Sequence, residues 1–118
     1  MAEEAPHFSV SESNGVRIVE FADRKILEEI SISEIGDALN DLVEGTKGIK
    51  LLLNFRNVEH LSSAALGMLI TLNKKASELD GSLKLSDIKP QIYEVFKITR
   101  LNKLFHIYDT AERALASY

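Results

Sequence analysis

No cysteine occurs among the 118 residues. Its absence removes disulfide frameworks, thiolate nucleophiles and Cys-based zinc or iron–sulfur sites, and it permits a reducing compartment. Also missing is any apolar run approaching the ~20 residues that span a bilayer. The opening Met1-Ala2-Glu3-Glu4-Ala5-Pro6 is acidic where a secretory signal would be basic and then apolar. A cytoplasmic protein without a membrane partner is expected. Positive charge is scarce as well: 14 Lys+Arg against 18 Asp+Glu leave a net charge of −4, the wrong sign for a chain whose main partner is a nucleic acid. Two prolines and six glycines are too few for a Pro/Gly-rich linker, and neither a low-complexity segment nor an internal repeat interrupts the chain.

What is present suits a soluble globular protein, with 45% hydrophobic and 27% charged residues. The length predicts one domain spanning residues 1–118. Asn14-Gly15 supplies the two positive-φ positions of a type I′ turn, so strands 8–12 and 16–21 should pair antiparallel. The charged segment 23–29 reads mostly as loop, with a short strand at Lys25-Ile26-Leu27. Ser31-Ile32-Ser33-Glu34 has capping-box spacing with Ile30 and Ile35 at the staple positions, which predicts a helix starting at Ile32. Ile32, Ile35, Ala38, Leu39, Leu42 and Val43 keep its apolar face, and Gly45 suits a left-handed closing residue.

The continuous apolar run 49–55 is expected of a central strand covered on both faces. Helical spacing returns from Ala64 to Leu79, about four turns, and Asp80-Gly81 ends it. A strand at 82–86 places Leu83 and Leu85 on one side; Pro90 then opens a short helix with Ile92, Val95, Phe96 and Thr99 on its face. Residues 105–108 read as a last strand, and Asp109-x-x-Glu112 as the capping box of a C-terminal helix. The expected fold is α/β: a mixed sheet, with the N-terminal antiparallel hairpin followed by parallel strands and helices packed on it.

In such a sheet chemistry concentrates in the loop leaving a central strand for its helix. Here that loop is Arg56-Asn57-Val58-Glu59-His60-Leu61-Ser62-Ser63, and one of the two serines should cap the helix. Glu59 and His60 flank the serines, and Asp23 follows the second strand either as a solvated turn residue or as part of the same rim. No Gly-x-Ser-x-Gly elbow surrounds Ser63, and His60, three residues away, is poorly placed as its base, so a small serine hydrolase is the remote alternative. His7, His60 and His106 form no i, i+3 or i+4 pair for a metal, and no phosphate-binding glycine loop occurs, so neither metal nor cofactor is expected.

The run from Val58 to Leu69, preceded by Leu51-Leu52-Leu53-Asn54-Phe55, resembles the strand–loop–helix signature of the STAS domain of bacterial anti-anti-sigma factors. Gly81 to Leu85 and Val95 to Tyr108 resemble that family's next strand and its following helix and strand, extending the likeness over roughly residues 8–116. The resemblance implies a STAS-like sheet and a non-enzymatic protein switch, an anti-sigma factor antagonist. In that family the serine before the helix is phosphorylated by an anti-sigma factor serine kinase with a histidine-kinase-like ATP fold, and a phosphoserine phosphatase reverses the modification. Aligning Ala65-Leu66-Gly67 with the family's Gly-Leu-Gly assigns that role to Ser63, with Ser62, where many members carry Asp, as second candidate. Asp23, Glu59, His60, Ser62, Ser63, Ala64, Leu66 and Gly67 are then the expected partner-binding residues. The resemblance also allows a STAS module of another assembly, a stress-signalling scaffold or a lipid-transport accessory subunit.

Overall fold

A computed structural model describes residues 3–4 and 7–118. Strands β2 (Phe8–Ser13) and β3 (Val16–Phe21) form the expected hairpin, with Asn14 at φ 51 and Gly15 at φ 83 as a type I′ turn demands. Phe8 opposes Phe21 and Val10 opposes Val19, which sends all four to one face. A two-residue strand, β1 (Glu3–Glu4), pairs antiparallel with β2 at the outer edge; nothing in the acidic N-terminus announced it. Beyond β3 the parallel strands β5 (Lys50–Asn54), β7 (Ser82–Ser86) and β8 (His106–Tyr108) are added one after another, giving the order β1-β2-β3-β5-β7-β8. This is the mixed α/β sheet that the alternating elements imply.

Helices α1 (Glu29–Gly45), α2 (Ser63–Glu78) and α3 (Pro90–Ile98) share one core with Leu51, Leu53, Leu83 and Leu85. Leu52 points to the other face and packs with Val16 beneath Ala114 of α4 (Ala111–Ala116), so β5 is covered on both sides, as its unbroken apolar run requires. On that second face Lys84 is nearly buried, its Nζ 2.5 Å from Ser117 Oγ just past α4. The same ammonium lies 4.1 Å from the Tyr118 ring centre and 5.3 Å from that of Tyr108, a cation–π contact that also places positive charge at the negative end of the helix. Burial pushes the Tyr118 phenol up to about 12. A hydrogen bond with Ser117 holds the Tyr108 phenol below its ordinary value, against the opposing effect of burial.

Several boundaries differ from expectation. Helix α1 begins at Glu29, not Ile32: Ile32 N–H already donates to Glu28 O at 2.9 Å, Glu28 makes no side-chain cap, and Ile30 is 75% exposed and staples nothing. Burial of Ile32, Ile35, Leu39 and Val43 fixes the phase of the helix but not its first residue, so the Ser31 spacing was a coincidence inside the first turn. Gly45 remains helical, and it is Gly48, at φ 75, that takes the left-handed turn. Thr110 rather than Asp109 caps α4, its Oγ accepting from Arg113 N–H at 3.2 Å. Of the face expected for α3, only Ile92 and Phe96 are buried; Val95 is 39% exposed and Thr99 is exposed too. A turn of 3-10 helix (Leu101–Lys103) then leads to β8.

Candidate functional site

From the end of β5 to the start of α2 nearly every residue is tied down. Asn54 Oδ1 accepts from Arg56 N–H at 2.8 Å, turning the chain, and Arg56 Nη2 donates to both oxygens of Glu20 at 3.0 and 2.9 Å. The Arg56 carbonyl receives Lys89 Nζ. Asn57 Nδ2 donates to Phe21 O at 3.0 Å, and Val58 is fully buried. Glu59 and His60 donate their N–H groups to Arg24 O at 2.7 and 3.1 Å. The short strands β4 (Lys25–Ile26) and β6 (His60–Leu61) then pair in parallel, Lys25 opposite His60, as a second small sheet. Sequence supported β4 weakly and β6 not at all, because a two-residue ladder leaves no periodicity to read.

Ser62 closes the loop. Its N–H donates to Ile26 O at 3.1 Å, its carbonyl accepts the first helical bond from Leu66 N–H at 3.1 Å, and its Oγ accepts from Ala65 N–H at 3.2 Å. It is therefore the N-cap of α2, with the extended backbone (φ −84, ψ 167) such a cap requires. Ser63, one residue later, is the first helical position and is exposed. The N–H groups of Ser63 and Ala64 have no acceptor within the helix, as is general for the first turn, and they lie at the positive end of the helix dipole. The hydroxyl of Ser63 thus stands in solvent on a rigid base.

The other expected contact residues surround it unevenly. Ala64 and Gly67 are exposed, and a side chain added at Gly67 would meet nothing within 4 Å. Leu66 is 6% exposed and offers only an edge. Glu59 Oε2 accepts from Arg24 at 2.9 Å, and that guanidinium holds the Glu59 carboxyl below the usual carboxylate range. Asp23 belongs to a separate cluster: its Oδ2 lies 2.7 Å from His7 Nδ1, while His7 Nε2 lies 3.0 Å from Glu34 Oε1. The Glu34 bond chiefly raises the His7 pKa above 6.5, with Asp23 adding to it and partial burial opposing. Among the described residues no hydrogen bond joins Ser63 to His60, and no cluster of three or more His, Asp or Glu side chains could hold a metal. No helix of the described residues is long and apolar enough to cross a membrane.

Sequence reasoning missed a groove beside these serines. Leu27 lines it from just past β4, Leu61 and Leu66 from β6 and α2, and Ile92 and Val95 from α3, enclosing about 310 Å³. No sequence signal marks it, because period alone does not separate a buried apolar position such as Ile92 from an unpartnered one such as Val95.

Comparison with known proteins supports the geometry. BtrV of Bordetella bronchiseptica, named as an anti-sigma factor antagonist, is 28% identical over 69 residues, 58% of this chain and 60% of that protein. The chain therefore aligns with less than two thirds of that relative's length. An anti-sigma-factor antagonist (STAS) domain protein from Planctomyces limnophilus superposes with a TM-score of 0.85 at 21% identity, covering 93% of this chain and 96% of the other. The Bacillus cell fate determinant SpoIIAA in its phosphorylated form superposes at 0.68 with 14% identity over 93% and 97% of the two chains. These last two likenesses establish the fold. The STAS domain family matches residues 8–114, and with the hairpin, the parallel strands and the strand–loop–helix at Ser62-Ser63 all in place, the chain belongs to the STAS domain family.

Proposed function

We propose that the protein is an anti-sigma factor antagonist, a partner switch controlled by phosphorylation of Ser63. In this reading residues 1–118 act as one module in the cytoplasm. The observation that carries the proposal is the division of labour between adjacent serines: Ser62 spends its oxygen on capping α2, and Ser63 presents a free, exposed hydroxyl. That a fold neighbour was solved in a phosphorylated form adds support. The partner is an anti-sigma serine kinase that supplies ATP; Ser63 Oγ attacks the γ-phosphorus, the bond to the β-phosphate oxygen breaks, ADP leaves, and the hydroxyl proton passes to a base on the kinase. A phosphoserine phosphatase hydrolyses the ester.

The phosphate brings about −1.5 to −2 charges, which the orphan N–H groups and dipole of α2 tolerate, so the fold survives. The bound interface does not: a hydrated dianion must be stripped of water there, and like charges brought together can cost several kcal/mol. Since about 1.4 kcal/mol is tenfold in affinity, this suffices to release the kinase and so return it to its sigma factor. The test incubates the protein with the anti-sigma kinase of its own cell and Mg-ATP. Peptide mapping should place one phosphoryl group on Ser63, Ser63→Ala should abolish uptake and Ser62→Ala should retain it. Phosphate on Ser62, or a Ser63→Glu chain that binds the kinase as tightly as wild type, refutes the assignment.

A further inference from the structure

We infer that the groove beside Ser63 seats an amphipathic helix of the partner protein, with apolar residues at i, i+3 or i+4 and i+7 and an acidic flank lying along α3. The inference extends the proposed partner face and rests on that reading for the partner's identity.

Ser63, Leu66 and Ile70 follow i, i+3, i+7 on α2, and Leu66 lines the groove. Across it, Gln91 and Val95 line the wall from α3, and Ile98, one turn further along the same face, is 78% exposed. Leu27, 47% exposed, closes the opposite side. A run of large apolar side chains of this kind on a small soluble chain marks a docking surface, and a trough walled by helices and a short ladder suits an inserted helix.

Charge selects the occupant. The chain as a whole is at −4, and from residue 26 to residue 46 it carries acids and no Lys or Arg. The α3 corner reverses this, with Lys89, Lys97, Arg100 and Lys103 against Glu94 alone between residues 89 and 103. Glu94 is tied to Lys97 at 3.3 Å, whereas the side chains of Arg100 and Lys103 have no acidic partner among the described residues. Lys25, on the strand facing His60, is likewise without one. Arg100 also sits at φ 62, a left-handed position where glycine would carry no strain. Glu59, the carboxylate lining the groove, is paired with Arg24. The unpaired guanidinium of Arg100, two residues past the exposed Ile98 that ends α3, is thus left to meet a carboxylate on a helix whose apolar side fills the groove.

The full chain, labelled with nitrogen-15, is titrated with a synthetic helical peptide of about 16 residues bearing leucines at that spacing and glutamates on its flanks. A matched peptide with lysines in place of the glutamates serves as control, beside phosphatidylcholine vesicles with and without phosphatidylserine. The acidic peptide should shift the amide signals of Leu27, Leu66, Val95 and Ile98. Its Kd should rise at least about tenfold in Arg100→Glu and in Val95→Asp, both exposed substitutions checked for folding by circular dichroism. Equal binding of the lysine peptide, shifts elsewhere, no binding below about 1 mM, or sedimentation with anionic vesicles in place of peptide binding overturns the inference. Phosphate uptake at Ser63 is scored separately. A chain that takes phosphate and binds no acidic helix sinks this inference alone, and one that binds the helix and takes no phosphate sinks only the switch.

Discussion

The two adjacent serines give a stability experiment that separates scaffold from function. Ser62 Oγ accepts Ala65 N–H at 3.2 Å, so Ser62→Ala leaves that donor without its cap and should cost about 1 kcal/mol, within the usual range of about 0.5–2. For 118 residues this corresponds to a fall of about 4 °C in Tm. Ser62→Asp keeps an acceptor and adds a charge at the positive end of α2, so it should match wild type or exceed it by about 0.3–1 kcal/mol. Ser63 has no capping bond to lose and is exposed, so Ser63→Ala should stay within about 0.5 kcal/mol of wild type. Ser63→Asp should be neutral or mildly stabilising by the same dipole argument. Urea titration followed by far-ultraviolet circular dichroism reads all four, and midpoints at constant m-value are compared. If Ser63→Ala loses as much as Ser62→Ala, or if Ser63→Asp unfolds the chain, the serines do not divide their roles and a phosphorylated Ser63 could not sit on an intact domain.

Gly81→Ala should destabilise by about 1–3 kcal/mol, because its Cβ would lie 2.8 Å from Ile49 O and 3.2 Å from Ala76 O, both backbone atoms; thermal unfolding checks this. His7 meets a carboxylate at each ring nitrogen, and only the imidazolium donates from both. Its folded pKa is raised above 6.5, so the stabilisation is complete below the unfolded value and disappears as pH rises through the folded one. Urea midpoints measured from acid to mildly alkaline pH should therefore fall more steeply in wild type than in His7→Asn. Spectrophotometric titration should find the Tyr118 phenol ionising near 12, well after Tyr108. Tyr118→Phe, which removes the bonds to Leu51 O and Ser82 O, should cost about 0.5–1.5 kcal/mol and loosen α4.

The hairpin, the central strand and α2 were legible because each has a cause confined to a few neighbouring residues: Asn14-Gly15 for the turn, seven consecutive largely apolar residues for β5, and helical spacing behind a serine for α2. The site was legible to the same depth, since the loop 56–63 was located and a serine cap was expected, although which serine takes the cap is fixed only by the Ile26 and Ala65 bonds. What escaped depends on distant partners. The β4–β6 ladder exists because Arg24 O receives two N–H groups from a loop 35 residues away, and no local pattern encodes that. The start of α1 was misjudged because helix-cap spacing recurs by chance and tertiary packing settles which copy counts.

The main sheet grows by laying each new strand against the one before it, and the three longer helices all close over the same side. Beyond the hairpin, however, each parallel pairing closes a long loop, Val16 meeting Lys50 and Lys50 meeting Ser82, a topology that slows assembly. Helix α4 alone crosses to the reverse side, held over Val16 and Leu52 by the Lys84–Ser117 contact and Tyr118. It is a helix of six residues packed on a small cluster and should open as a separate low-energy unit. Its amides should exchange with solvent while those of β5 remain locked, and its departure would bare a flat tract of sheet without touching the surface around Ser63.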